Sequence, residues 1–129
     1  MKKILFVCVH NTGRSQMAEA FFNHYAKGKA QAFSAGTHYA SHINSSVIEA
    51  MREVDIDISS KRPKVLTLEM LGVADKVISM GCGVEGVCPA TFVPIEDWQL
   101  EDPEGKPIEQ VRAIRDEIVT KVKRLIEEI

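Results

Sequence analysis

The chain carries no surplus of positive charge: 16 Lys and Arg stand against 18 Asp and Glu, a formal net charge of −2 over 129 residues. So balanced a chain has no broad basic face for nucleic acid or anionic lipid, and any attraction for anions must be local. It has no apolar run near the ~20 residues that a bilayer span needs. The start, Met1-Lys2-Lys3 and then about six apolar residues before His10, is shorter than a secretory leader. A cytoplasmic location away from membranes is therefore expected. Cysteine is scarce and odd in number, at three. Without an export signal these cysteines do not make a disulfide scaffold and are better explained as reactive thiols. Aromatic residues are only 6% of the chain. Repeats, low-complexity tracts and linkers are lacking too, so residues 1–129 are expected to form one domain with a moderate core.

What is present is an alternation of short strands and helices. Ile4 to Val7 is a continuous apolar run inside a strand read from Lys3 to Val9, as for a central parallel strand buried on both faces. From Ser15 to about Lys27, Ala18, Phe21, Phe22 and Tyr25 share one helical side, and Gly28 is a stop signal. Ala30 to Ala35 reads as a second strand closed by Gly36, and Ser45 to Val54 as a helix. The basic, Pro63-containing stretch from Ser59 to Val65 reads as a loop, with a short helix over Leu66 to Leu71. Lys76 to Met80 and Thr91 to Ile95 are the third and fourth strands. From about Ile108 a long helix places Val111, Ile114, Ile118, Val122, Leu125 and Ile129 at spacings of three and four, a stripe best read as core packing. The pattern predicts an α/β fold: a four-stranded parallel sheet with helices on both faces. In such sheets ligands bind beyond the carboxyl ends of strands, near a switch in strand order.

At that position lies Cys8-Val9-His10-Asn11-Thr12-Gly13-Arg14-Ser15. A cysteine ending a core strand is often only a small buried residue. Here an arginine follows six residues later, across a glycine-containing loop that opens a helix. Such a loop turns backbone N–H groups of Val9 to Ser15 towards one point, where the helix dipole favours negative charge. Arg14 adds a planar fork of donors for a tetrahedral anion, and Ser15 can donate its hydroxyl to the sulfur. The arrangement favours a thiolate and makes Cys8 a candidate nucleophile at the floor of an oxyanion cradle.

The other two cysteines sit in Gly81-Cys82-Gly83-Val84-Glu85-Gly86-Val87-Cys88-Pro89, whose glycines resist a stable helix. In a helix Cys82 and Cys88 would be about 9 Å apart along the axis, beyond the ~4.4–6.8 Å Cα separation of a disulfide. A bond between them needs a looped-out chain. Redox use is the favoured reading; two unrelated loop thiols, or half of a zinc site lacking the usual spacing, are the others. A third segment, Asp97 to Pro103, contains Asp102-Pro103. A carboxylic acid beside a cradle can protonate a departing oxygen, but Asp-Pro is equally a turn signal.

Cys8 to Ser15, continuing as Gln16-Met17-Ala18-Glu19-Ala20, resembles the low-molecular-weight tyrosine phosphatase fold, and within it the arsenate reductases that draw electrons from thioredoxin. The likeness spans the chain and is most specific at this loop, at Cys82/Cys88 and at Asp102-Pro103. It implies that Asp102 is the general acid, ahead of Asp97 and Glu101, and that a tryptophan placed as Trp98 is usual. It implies arsenate as substrate, with phosphate or sulfate competing. It further implies a relay in which Cys8 bonds to arsenic, Cys82 attacks Cys8, and Cys88 then takes over Cys82 in a disulfide that thioredoxin reduces. No cofactor is needed for that chemistry. The family often holds a potassium ion behind the loop, for which Asn11, Glu19 and Ser34 are candidate donors, although Glu19 also reads as a helix-surface charge. His10 either meets the anion or points outward.

Three rivals remain. A tyrosine phosphatase needs only Cys8, Arg14 and Asp102, leaves Cys82 and Cys88 unexplained, and wants an aromatic-walled cleft that 6% aromatics supply poorly. A non-enzymatic oxyanion or redox sensor would signal through the Cys82–Cys88 segment. A phosphocysteine sugar-transport module would not need the acid.

Overall fold

The computed structural model describes residues 2–38, 40–80 and 95–129, the side chain of Ile95 excepted. Cys82, Cys88 and the start of the fourth strand expected at Thr91 lie outside the described residues.

Four parallel strands form one sheet in the order β2-β1-β3-β4: β1 (Lys2–Cys8), β2 (Ala30–Gly36), β3 (Lys76–Ser79) and β4 (Ile95–Asp97). The helices are α1 (Arg14–Ala26), α2 (Ser45–Arg52), α3 (Leu68–Val73) and α4 (Ile108–Glu128). β1 is central, and its side chains alternate between two apolar clusters. Ile4, Phe6 and Cys8 join the core built with α1, α2 and α4, including Phe21, Phe22, Val47, Met51, Ile114 and Ile118. Leu5 and Val7 face the other way, with Ala35, Val77 and Ala74, against Met70 and Leu71 of α3. Helices thus cover both faces, as the continuous apolar run of β1 requires. The α4 stripe is buried at Val111, Ile114, Ile118, Val122 and Leu125, each contributing roughly 1.5–3 kcal/mol of apolar burial.

Several boundaries differ from the sequence expectation, each for a local reason. β1 ends at Cys8 rather than Val9, because the Val9 carbonyl accepts from His38 N–H at 2.7 Å instead of joining the ladder. α2 stops at Arg52 rather than Val54, since Asp55 takes φ 65° and Val54 is left 39% exposed. α3 is shifted two residues onward because Thr67, whose Oγ1 accepts from Met70 N–H at 3.1 Å, caps it. Tyr25 does not share the burial of Phe21 and Phe22; it is 39% exposed, with Lys123 Nζ 4.8 Å from its ring centroid.

The fourth strand continues past its expected end at Ile95 to Asp97. Two carboxylates in a row disguise it in the sequence. Glu96 is opposite Ile78 in the ladder, and it pairs with Lys76 of β3 at 3.1 Å. It also accepts from the Trp98 indole N–H at 2.7 Å. That hydrogen bond, helped by Lys76 and Lys121, keeps the Glu96 carboxyl below the usual carboxylate range despite some burial. Trp98 itself is buried with its ring centroid 5.6 Å from that of Phe6. Its burial pins the chain that leads to Asp102.

Candidate functional site

β1 pairs with β2 on one side and with β3 on the other, so strand order switches beyond Cys8. The loop from Val9 to Gly13 crosses that switch and leads straight into α1. Four carbonyls in and beside it are engaged by other parts of the fold. Cys8 O accepts from Thr37 N–H at 3.0 Å, Val9 O from His38 N–H at 2.7 Å, and Thr12 O from Asn44 N–H at 3.1 Å. Gly13 O takes the first helical bond, from Met17 N–H at 2.9 Å. In a planar trans peptide the N–H points opposite to the C=O. The N–H groups of Val9, His10, Gly13 and Arg14 are therefore directed away from those partners, and with the α1 N-terminus they make a concentrated set of anion donors.

Cys8 is 3% exposed and its sulfur meets two hydrogen-bonding groups: Asn11 N–H at 3.1 Å and the Ser15 hydroxyl at 2.8 Å. Asn11 Nδ2 donates to Ser15 Oγ at 2.7 Å, which fills one acceptor site of that oxygen and leaves the serine proton available to the sulfur when Cys8 reacts as a thiolate. The amide cannot turn over, because Asn11 Oδ1 already accepts from Gln16 Nε2 at 2.8 Å and from Lys64 N–H at 2.9 Å. Asn11 holds the left-handed φ of 58° that this geometry needs, a conformation asparagine tolerates better than most residues.

Arg14 is 6% exposed and ties three parts of the fold together. Its Nη1 donates to Met80 O at 2.6 Å, just past β3, and to Leu100 O at 3.0 Å. Its Nη2 lies 3.7 Å from Asp102 Oδ2. Asp102 is half exposed and accepts from Glu104 N–H at 3.0 Å. Pro103 brings it there: a β-carbon on Gly13 would stand 2.9 Å from Pro103 Cγ, so the ring packs directly on the loop where glycine leaves room. The Asp-Pro turn and the Cys8 loop are thereby one site. Asp97 sits in β4, where its Oδ1 accepts from Gln99 N–H at 3.1 Å, and Glu101 pairs with Lys106 at 3.6 Å. Among the three carboxylates, Asp102 is the one paired with Arg14.

His10 is at the exposed rim, its ring centroid 5.9 Å from that of His38. Ser34 and Glu19 do come together behind the loop, with Ser34 Oγ donating to Glu19 Oε1 at 2.6 Å. Glu19 is not a helix-surface charge: it is 5% exposed and meets Lys61 Nζ at 2.7 Å and Lys64 Nζ at 3.6 Å.

Sequence reasoning missed the back of the site. Gln16 donates to Asn11 and to Arg62 O at 3.1 Å. The 61–64 stretch, read only as a basic loop, supports both Asn11 and Glu19. In the sequence Gly36 reads only as a strand end. In the ladder it is opposite Cys8, and a β-carbon there would stand 2.7 Å from His10 C and from Val9 O and 2.8 Å from Asn11 N. These are backbone atoms of the loop, so they have little room to give. Gly36→Ala is expected to cost about 1–3 kcal/mol by overpacking and to distort the cradle, lowering both the denaturation midpoint and anion affinity. Unchanged values of both in a denaturant titration and a phosphate titration would contradict the role assigned to Gly36.

Known proteins give the same picture. The family description "low molecular weight phosphotyrosine protein phosphatase" matches residues 3–129. A putative arsenate reductase of Halobacterium salinarum is 38% identical over 98% of this chain and 92% of its own. The structure described as an arsenate reductase in the phosphate binding state superposes with TM-score 0.90 at 39% identity, covering 100% of this chain and 99% of that one. A thioredoxin-dependent arsenate reductase of Corynebacterium glutamicum superposes with TM-score 0.84 at 38% identity, covering 99% of this chain and 61% of that one. With match and geometry in agreement, the chain belongs to the low molecular weight phosphotyrosine protein phosphatase family.

Proposed function

We propose that this protein reduces arsenate to arsenite, using Cys8 as nucleophile and Cys82 and Cys88 as successive relays. The observation that carries the reading is the Cys8 sulfur, buried and held by Asn11 N–H and the Ser15 hydroxyl at the mouth of α1, beside Arg14 and Asp102. Two further thiols in the chain and the relatives' names support reduction over hydrolysis.

Arsenate is bound by the loop N–H groups of Val9 to Ser15 and by Arg14. The Cys8 thiolate attacks arsenic; a hydroxide departs and takes a proton from Asp102 as water. Cys82, as thiolate, attacks the Cys8 sulfur, and the electron pair of the S–As bond goes to arsenic, which leaves as arsenite, As(III). The two sulfurs are oxidised to a Cys8–Cys82 disulfide. Cys88 attacks the Cys82 sulfur, forming Cys82–Cys88 and freeing Cys8. A dithiol protein of the thioredoxin class, named for the Corynebacterium relative, reduces that disulfide. Phosphate and sulfate fit the same loop but phosphorus and sulfur are not reduced there, so they compete without turning over. A cytoplasmic site of action suits a reducing partner, and among the described residues no helix is long and apolar enough to cross a membrane.

The test is arsenate-dependent NADPH oxidation with thioredoxin and thioredoxin reductase. Turnover is expected in the wild type, and Cys88→Ala is expected to complete one reduction and then stop. Sustained turnover in Cys88→Ala would overturn the relay. Strong p-nitrophenyl phosphate hydrolysis with no arsenate-dependent oxidation would make the protein a phosphatase, and anion binding with neither activity would make it a sensor.

A further inference from the structure

A monovalent cation behind the Cys8 loop would need oxygen lone pairs turned towards it, from Asn11, Glu19 and Ser34. The chain has already engaged these groups. Asn11 Oδ1 accepts two hydrogen bonds, from Gln16 Nε2 and Lys64 N–H. Glu19 Oε1 accepts from Ser34 Oγ at 2.6 Å, and Glu19 Oε2 from Lys61 Nζ at 2.7 Å. Lys64 Nζ stands a further 3.6 Å from Oε1. Two ammonium groups thus face one buried carboxylate, and a third positive charge would be repelled by both. The residues present do not fit a potassium site.

We propose that Lys61, with Lys64, is a built-in counter-cation that takes the place of a dissociable monovalent ion behind the loop. Burying Glu19 ionised is costly unless it is paired and hydrogen-bonded, and these lysines do the pairing. They arrive on a segment fastened at several points. Arg62 O accepts from Gln16, Lys64 N–H donates to Asn11, and Lys64 O accepts from Gly36 N–H at 2.7 Å. The same four residues, 61–64, therefore neutralise Glu19 and hold Asn11 in the left-handed conformation that directs Ser15 at the sulfur. A tethered ammonium does not dissociate, so the loop keeps its shape whatever the salt. Lys61 and Lys64 act here as positioning residues, through Glu19 and Asn11.

The test is thermal unfolding in potassium chloride against choline chloride at equal ionic strength, which does not depend on the reaction assigned to the loop. The wild type is expected to show the same midpoint in both salts. Lys61→Met, which keeps an apolar stem and removes the charge, is expected to unfold several degrees lower in choline chloride and to recover part of the loss only in potassium chloride. Lys61→Gln serves where the Met variant does not fold. The thallium(I) NMR line, a potassium surrogate, should stay narrow with wild-type protein. Selective stabilisation of the wild type by potassium, a broadened thallium line with it, or variants that ignore potassium would each overturn the proposal.

Discussion

Cys8→Ser is expected to remove arsenate-dependent turnover by on the order of 10⁴-fold or more, with folding and phosphate binding retained. The substitution exchanges sulfur for a smaller oxygen at a site whose two hydrogen-bonding groups, Asn11 N–H and Ser15 Oγ, can still reach it. Nothing is overpacked and no buried group is orphaned. What is lost is the nucleophile, because an alcohol ionises far less readily than a thiol. Neither neighbour is a general base: one is an amide N–H and the other a serine hydroxyl. Such surroundings suit a nucleophile that arrives ionised, as a thiol can near neutral pH. A serine hydroxyl needs a general base to attack, as in a serine hydrolase, and the cradle provides donors instead. Phosphate should bind the variant with an affinity within a few-fold of the wild type, read by calorimetry. Measurable arsenate turnover by Cys8→Ser would remove Cys8 as nucleophile. Lost phosphate binding would show that the sulfur is structural to the cradle.

The front of this cradle was legible in the sequence, and its back was not. Cys8, Arg14 and Ser15 announce themselves because strand periodicity ends at Cys8 and helical periodicity begins near Ser15, leaving a loop whose residue types match anion chemistry. The sheet was legible for the same reason: Ile4 to Val7 can be apolar without interruption only if both faces are covered. Asp102-Pro103 carried an ambiguous signal that packing resolves, since Pro103 against Gly13 depends on a contact 90 residues apart in sequence. The hidden parts act through the backbone or across the fold. Met80 and Leu100 hold Arg14 with carbonyl oxygens, which every residue possesses, so no pattern of side chains can mark them. Gly36 matters for what it lacks, opposite Cys8 in a ladder whose register only the folded sheet sets. Lys61 and Lys64 look like solvated charges because their buried partner, Glu19, is 42 residues away from Lys61 along the chain.

Asp102→Asn should separate binding from chemistry. The Asp102 carboxylate stands 3.7 Å from Arg14 Nη2, so an incoming anion and Asp102 draw on the same guanidinium. Removing the carboxylate's charge removes a competitor for Arg14, and phosphate should bind at least as tightly as before. The fold should tolerate the change. Asp102 is half exposed, and its Oδ1 has an amide oxygen counterpart in Asn that can still accept from Glu104 N–H. Pro103 keeps its seat on Gly13. The step that needs a proton is then left without its donor. General acid catalysis by a positioned side chain is typically worth ~10²–10⁴-fold, and an amide cannot supply it. The maximal rate of arsenate reduction should fall by about that factor while the concentration of phosphate needed to inhibit does not rise. A variant that loses affinity and rate together would mean that Asp102 holds Arg14 in place rather than feeding a proton to the leaving oxygen. Glu101→Gln is the matched control: its carboxylate pairs with Lys106 instead, and its rate should stay within a few-fold of the wild type.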